Sequence, residues 1–406
     1  MNHPHEFLFS SLENALPEAL QWLRRLVEIN SFTAHSKGVS NVAKVTGEMF
    51  ASLGFEAETV ASENPEYGCH LFLRRKGPNS TLPVVLVTHS DTVFPHEEEV
   101  RENFRWKEMD GRIYGPGTVD NKGGTVLIWL MLRVLKEWNP QTFENTDWLI
   151  AANASEEVTA SDFGRLTRAR CPDGAKAVLV FEGGPRQGHT FQIVTARKGR
   201  AEFVIESTGK AAHAGSSHAE GVNAIVALAK CVGPVSSLSN SADELTVNIA
   251  TISGGTVFNR VPHEAQAALE MRAFEPSVLA GAESRIEQIL KDHSPISGSL
   301  KLRCEGRTQG WPADAETMHL LQRWSDAAQE LGMEAVAIRR GGLSDANYLA
   351  GLGPMLDGMG PAGANAHCSE WRPEVGKLPE FVEPDSFVPK AALNLLALNR
   401  LLKGVG

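Results

Sequence analysis

Three apolar runs in this sequence end in side chains able to hold a metal or move a proton. Val84-Val85-Leu86-Val87-Thr88 leads to His89 and, two residues on, Asp91. The run reads as a buried strand. On an extended strand residues i and i+2 share a face, so the imidazole and the carboxylate can touch. A carboxylate that takes the N–H of one ring nitrogen leaves the other nitrogen for a metal. A second run, Trp148 to Asn153, delivers Ser155-Glu156-Glu157, and a third, Ala177 to Phe181, ends in Glu182. Between them the turn-rich stretch Gly115 to Gly124 carries Asp120 where the loop meets a helix. Each feature alone has an ordinary explanation: a capping aspartate, a solvated glutamate pair, an incidental histidine. In open α/β sheets, however, ligands bind at the carboxyl ends of the strands. Three strands that all end in such residues favour a metal site over three coincidences.

The elements that position these residues follow from periodicity. Leu12 to Ile29 shows helical spacing (Leu16, Leu20, Leu23, Leu26), with Pro17 expected in the first turn. A second helix is expected from Val42 to Leu53, ending at Gly54, and strands near Glu56–Val60 and His70–Arg74. Thr125 to Leu135 is apolar on nearly every side, as in a buried helix. From about Thr195 to Arg303 the order becomes strand, helix, strand, strand, helix, strand, a ferredoxin-like pattern that reads as a self-contained insertion. The α/β style then resumes. A helix is expected near Ala315–Leu331, a loop at Gly341-Gly342-Leu343-Ser344-Asp345, a loop from Gly360 to His367, and a closing helix from Pro389 to Leu402.

The chain has 406 residues, 42% hydrophobic and 22% charged, with a net charge of −10. That length predicts two domains. The acidic balance argues against nucleic acid or an anionic membrane as partner. Five scattered cysteines without paired spacing (Cys69, Cys171, Cys231, Cys304, Cys368) predict free thiols and a cytoplasmic, reducing setting. The first residues, Met1-Asn2-His3-Pro4-His5-Glu6, do not read as a signal peptide, and no stretch of about 20 apolar residues exists to span a bilayer.

Taken in order, six motifs resemble one family: His89-x-Asp91-x-Val93, Gly-Pro-Gly-Thr-Val-Asp120-Asn-Lys-Gly-Gly, Ser-Glu156-Glu157, Phe-Glu182-Gly-Gly, Gly-Lys-Ala-Ala-His213-Ala-Gly and His367. They are similar to the zinc-dependent glutamate carboxypeptidase, aminoacylase, acetylornithine deacetylase and succinyl-diaminopimelate desuccinylase family. The match spans nearly the whole chain. Gly-Gly-Leu-Ser-Asp345-Ala, with the absence of a long insert, looks most like the glutamate carboxypeptidase branch.

The resemblance implies an α/β catalytic domain, a mixed sheet flanked by helices, from residues 1–194 and 305–406. It implies an inserted ferredoxin-like α+β dimerisation (lid) domain at 195–304, and hence a homodimer. It also implies two Zn2+ per chain, with Co2+ or Mn2+ as substitutes. His89 and Glu182 would hold one ion, Glu157 and His367 the other, and Asp120 would bridge them with a cis peptide after it. Asp91 would orient His89, and Glu156 would be the general base. His213 would reach across the dimer to stabilise the tetrahedral oxyanion. Asn259 and Arg272, the latter near the acid Glu270, match positions facing substrate, with Arg307 a looser match. The loop at Gly342 would offer backbone donors. Glu374 is expected to take the place of an acid that relatives keep after the histidine, and Cys368 to be a buried free thiol. Two cations about 3.5–4 Å apart can share a hydroxide and polarise a carbonyl, and carboxylates with imidazole suit zinc.

The expected function is therefore a co-catalytic di-zinc metallohydrolase that cleaves an amide bond next to a free carboxylate, a carboxypeptidase of the glutamate carboxypeptidase type. Its substrate would be a short peptide or N-acyl amino acid. The alternative is an N-acyl-amino-acid deacylase, which differs in which side of the bond carries the anchoring carboxylate. From another class, a catalytically inactive metal-binding module would show damage to the base or a ligand, yet Glu156 and all five ligand positions are intact. A nucleotide site is disfavoured, since neither Gly123-Gly124 nor Gly183-Gly184 has phosphate-loop spacing.

Overall fold

A computed structural model of the chain describes residues 5–78, 82–158 and 161–403. The chain divides into two compact units. The first comprises Met1–Thr195, Ala313–Arg339 and Ser344–Gly406, and the second Ala196–Pro312 and Arg340–Leu343.

The first unit is built on a six-stranded mixed sheet. Across it run Glu56–Ala61, Cys69–Arg75, Trp148–Asn153, Val84–His89, Ala177–Val180 and Met355–Leu356. The first two junctions are antiparallel and the other three parallel. Every residue of Val84–His89, Trp148–Asn153 and Ala177–Val180 is buried, as apolar runs without alternation require. Val84–His89 lies between the other two, with Val87 opposite both Ala151 and Val180. The carboxyl ends of three adjacent parallel strands thus deliver the three acid- or histidine-bearing loops to one edge.

Helix Lys122–Trp138 is buried on nearly every side and packs against helices Glu6–Val27 and Phe387–Lys403. The first helix begins earlier than its predicted start, and Pro17 lies in its interior rather than its first turn. Leu8, Leu12, Leu23 and Leu26 are fully buried along one stripe. A proline inside a helix costs roughly 3 kcal/mol, while each buried leucine contributes roughly 1.5–3 kcal/mol, so the stripe prevails. A small four-stranded sheet of Gly363–Ala364, Phe381–Val382, Arg112–Tyr114 and Lys107–Met109 flanks the loops that carry Asp120 and His367.

The second unit has the strand order Thr246–Gly254, Glu264–Ala273, Gly199–Thr208, Leu300–Thr308, all antiparallel. Helices Ala224–Ser236 and Pro276–His293 complete the ferredoxin-like pattern. Burial alternates along the strands. Ala201, Phe203 and Ile205, with Ala267, Leu269 and Met271, join the core, while Glu202, Glu270 and Arg272 point to the other face.

Candidate metal centre

His89 closes its strand with a fully buried ring. Its Nδ1 lies 3.1 Å from the backbone carbonyl of Asp91 and 3.3 Å from Asp91 Oδ1, which turns Nε2 the other way. Nε2 then sits 3.0 Å from Asp120 Oδ1 and 3.7 Å from Glu182 Oε1. Asp91 also reaches the next strand end. Its Oδ1 accepts the Glu156 N–H at 3.2 Å, and its Oδ2 accepts the Glu157 N–H at 3.3 Å and the Thr33 hydroxyl at 2.7 Å.

Asp120 divides its two oxygens. Oδ1 faces His89, while Oδ2 lies 3.3 Å from His367 Nε2, which is itself 3.1 Å from Glu157 Oε2. The Asp120–Asn121 peptide is cis, and Asn121 Nδ2 donates to Glu182 Oε1 at 3.2 Å. Two candidate groups result, His89–Asp120–Glu182 and Asp120–Glu157–His367, with the ligand atoms of each within 4.8 Å of one another. An imidazole with two carboxylates in each group, one carboxylate common to both, fits a pair of divalent cations with room left for water. The cluster opens to solvent on the His367 side, where that side chain is 55% exposed.

Burial and close pairing shift the protonation of the clustered groups. Burial pushes the Glu156 carboxyl well above the usual carboxylate range and raises Glu157 as well. Burial likewise lifts Asp345 to about 7 and Glu380 to about 8. Hydrogen bonds to Asp120 and Glu157 raise His367 to about 10. Burial opposes charge on His89, yet Asp120 and Asp91 outweigh it and raise it well above its ordinary value. Asp120 is held low despite burial by His367 and His89. Buried carboxylates and imidazoles held this close form a donor set whose negative charge a metal ion would balance.

The remaining predicted residues lie in the second unit. His213 is exposed, and its Nδ1 accepts the backbone N–H of Gly215 and of Ser216, each at 3.1 Å, which leaves Nε2 to carry the proton of the neutral ring. Ala214 N donates to the Asn259 carbonyl at 2.9 Å, so His213 and Asn259 belong to neighbouring segments. Arg272 is already engaged: Nε and Nη2 grip both oxygens of Glu270 at 2.6 and 3.0 Å, and Nη1 donates to the Gly341 carbonyl at 3.2 Å. The carbonyls of Gly342 and Leu343 both accept from Arg197 Nη1 at 3.1 Å. Arg307 pairs with Glu283 at 2.5 Å.

Two expectations are corrected and one buried residue was missed. Glu374 is exposed on the turn Pro373–Val375. The acid packed behind the centre is instead Glu380, whose Oε1 accepts the N–H of Val119 at 2.9 Å and of Asp120 at 3.1 Å. The available signal was an acid directly before the apolar pair Phe381-Val382. Cys368 is half-buried rather than buried, with Sγ directed to the Glu370 carbonyl.

A mixed α/β sheet with paired acid and imidazole groups on the loops at its edge defines a candidate metal-binding protein of the α/β class. Residues 195–297 match the peptidase dimerisation domain. The chain is 26% identical over 369 residues to carboxypeptidase G2 of Pseudomonas sp. (strain RS-16), covering 89% of this chain and 85% of that protein. It is 27% identical over 269 residues to acetylornithine deacetylase of Klebsiella pneumoniae (strain 342), covering 62% and 66%. Its fold matches aminopeptidase PepT of Bacillus cereus with a TM-score of 0.77 at 23% identity, covering 95% of this chain and 98% of that one. The chain is a hydrolase similar to these proteins, and it carries the M20 peptidase dimerisation domain. Among the described residues no helix is long and apolar enough to cross a membrane.

Proposed function

We propose that the protein cleaves an amide bond next to a free carboxylate, as a carboxypeptidase of the glutamate carboxypeptidase type. The observation that carries this reading is Asp120, which offers one oxygen to each of two ligand groups. His89 and Glu182 would hold one Zn2+, Glu157 and His367 the other. When bound, the pair supplies an acidified water and a polarised carbonyl. Asp91 keeps His89 Nε2 directed at the metal position. Glu156, held beside Glu157 by the backbone hydrogen bonds to Asp91, takes a proton from the attacking water and returns it to the leaving amine. The products are a carboxylic acid and an amine, with one water consumed.

His213, with Nε2–H as a donor, would stabilise the oxyanion in a homodimer formed through the inserted unit. The substrate would be a short peptide or N-acyl amino acid, received by Asn259, Arg272 and the backbone at Gly342. Carboxypeptidase G2 is matched over more of its length than acetylornithine deacetylase, which favours the carboxypeptidase reading over the deacylase. All five cysteines are free, which supports a cytoplasmic setting.

The test is a panel of dipeptides and N-acyl amino acids assayed after chelator stripping and Zn2+ or Co2+ reloading. Activity should vanish and return, and the better substrates should be those whose free carboxylate sits on the released amino acid. Glu156→Gln should retain metal and lower kcat by about 10²–10⁴-fold. Unchanged turnover of that variant would refute its role. No turnover by zinc-loaded protein across the panel would favour an inactive metal-binding module.

A further inference from the structure

We propose that Glu380 is a positioning residue of the metal centre, joining the loop that carries Asp120 to the loop that carries His367. The inference rests on the di-metal reading above. Glu380 is fully buried, and its side chain accepts the N–H groups of Val119 and Asp120 at 2.9 and 3.1 Å. Its backbone N–H donates to the Cys368 carbonyl at 2.7 Å, one residue past His367, and its carbonyl accepts from Gly115 at 3.3 Å, where the Asp120 loop begins. The next residue, Phe381, pairs with Tyr114 on one side and Ala364 on the other. One residue therefore joins both ligand-bearing loops from behind.

Other roles for such an acid fit less well. Glu380 is in neither candidate metal group. It is not a helix cap either, since the nearest helix starts at Lys122. The loops it joins need holding. Asn365 and His367 both adopt left-handed backbone, with φ of 63° and 67°, and non-glycine residues stay there only where their surroundings dictate it. Asp120 must present each oxygen to a different group, so a small rotation of its backbone would misplace both. Productive metal geometry tolerates about 0.5 Å.

The experiment uses the full chain, with Glu380→Gln, Glu380→Ala and Glu380→Asp. Chelator competition for Zn2+ and the visible spectrum of the Co2+-loaded protein are the readouts, beside thermal unfolding of the metal-free forms. Glu380→Gln keeps an oxygen that can accept both N–H groups, so near wild-type affinity and spectrum are expected. Glu380→Ala should bind Zn2+ about 10–100-fold more weakly with an altered Co2+ spectrum. Glu380→Asp, one methylene too short, should fall between, which keeps the test decisive if Glu380→Ala does not fold. Wild-type affinity and spectrum in both the Ala and Asp variants would assign Glu380 to fold stability alone and overturn the proposal. So would loss in Gln with retention in Asp. A wild-type chain that takes up no metal would overturn the di-metal reading and this inference together. A wild-type chain that binds two ions, beside variants that bind them equally tightly, would overturn the inference alone.

Discussion

Asp91 serves four partners with two oxygens: the His89 ring, the Thr33 hydroxyl and the N–H groups of Glu156 and Glu157. Replacing it with alanine would free the imidazole and strand two partly buried N–H donors, at about 1–3 kcal/mol each. Asp91→Ala should therefore weaken Zn2+ binding about 10–100-fold and lower kcat as well, as the Glu156 backbone shifts. Chelator competition beside steady-state kinetics checks this, and unaltered affinity would contradict it. The His89–Asp91 pair was legible because an i, i+2 spacing survives in any strand. The reach of Asp91 to the Glu156-Glu157 backbone was not, since it crosses between strands 65 residues apart in sequence. Glu380 was hidden for a similar reason. Twelve residues separate it from His367, and only the pairing of Phe381 with Tyr114 shows where that loop returns.

The sheet brings His89, Glu157 and Glu182 to one edge because its parallel strands are buried on both faces, and their uninterrupted apolar runs made them readable. Strands of two or three residues, such as Gly363–Ala364 and Phe381–Val382, left no periodicity to read. A further device at this scale is Asp162, where helix Ser161–Ala169 begins. Its Oδ2 accepts from Ser62 Oγ at 3.0 Å, Glu63 N at 2.9 Å and His70 Nε2 at 3.0 Å. His70 Nδ1 in turn accepts the Ala154 N–H at 3.1 Å, just ahead of Glu156. Burial would raise the Asp162 carboxyl, but the Glu63 N–H and His70 outweigh it and hold it below its ordinary value. A carboxylate whose folded pKa is depressed adds stability above its unfolded pKa of about 3.9. That stability is lost as pH falls through the lower folded value. Asp162→Asn should thus lower Tm near pH 6, and the gap from wild type should narrow as pH falls below about 4. A gap that stays constant across thermal scans from pH 6 to pH 3 would contradict this.

For the molecule as a whole, a homodimer through the inserted unit is the expected state. That unit leaves Ile252 and Val257 57% exposed and Phe258 fully exposed, apolar surface that a second copy would cover. Light scattering should give twice the 44.0 kDa chain mass, and His213→Ala should lower kcat while leaving metal content intact. An active monomer, or full kcat in that variant, would contradict the dimer reading. The two-part organisation was legible because strand-helix-strand-strand-helix-strand is a distinctive order. The locking of Arg272 by Glu270 was not: the i, i+2 spacing puts them on one face but does not say which group the arginine fork will grip. The central claim is that Asp120 stands between two cations. Anomalous diffraction from crystals of the zinc-loaded protein, collected across the zinc edge, tests it most directly. Two peaks are predicted, one among His89, Asp120 and Glu182 and one among Asp120, Glu157 and His367. A map with no peak there, or a single peak that leaves either Asp120 oxygen unbound, would contradict it.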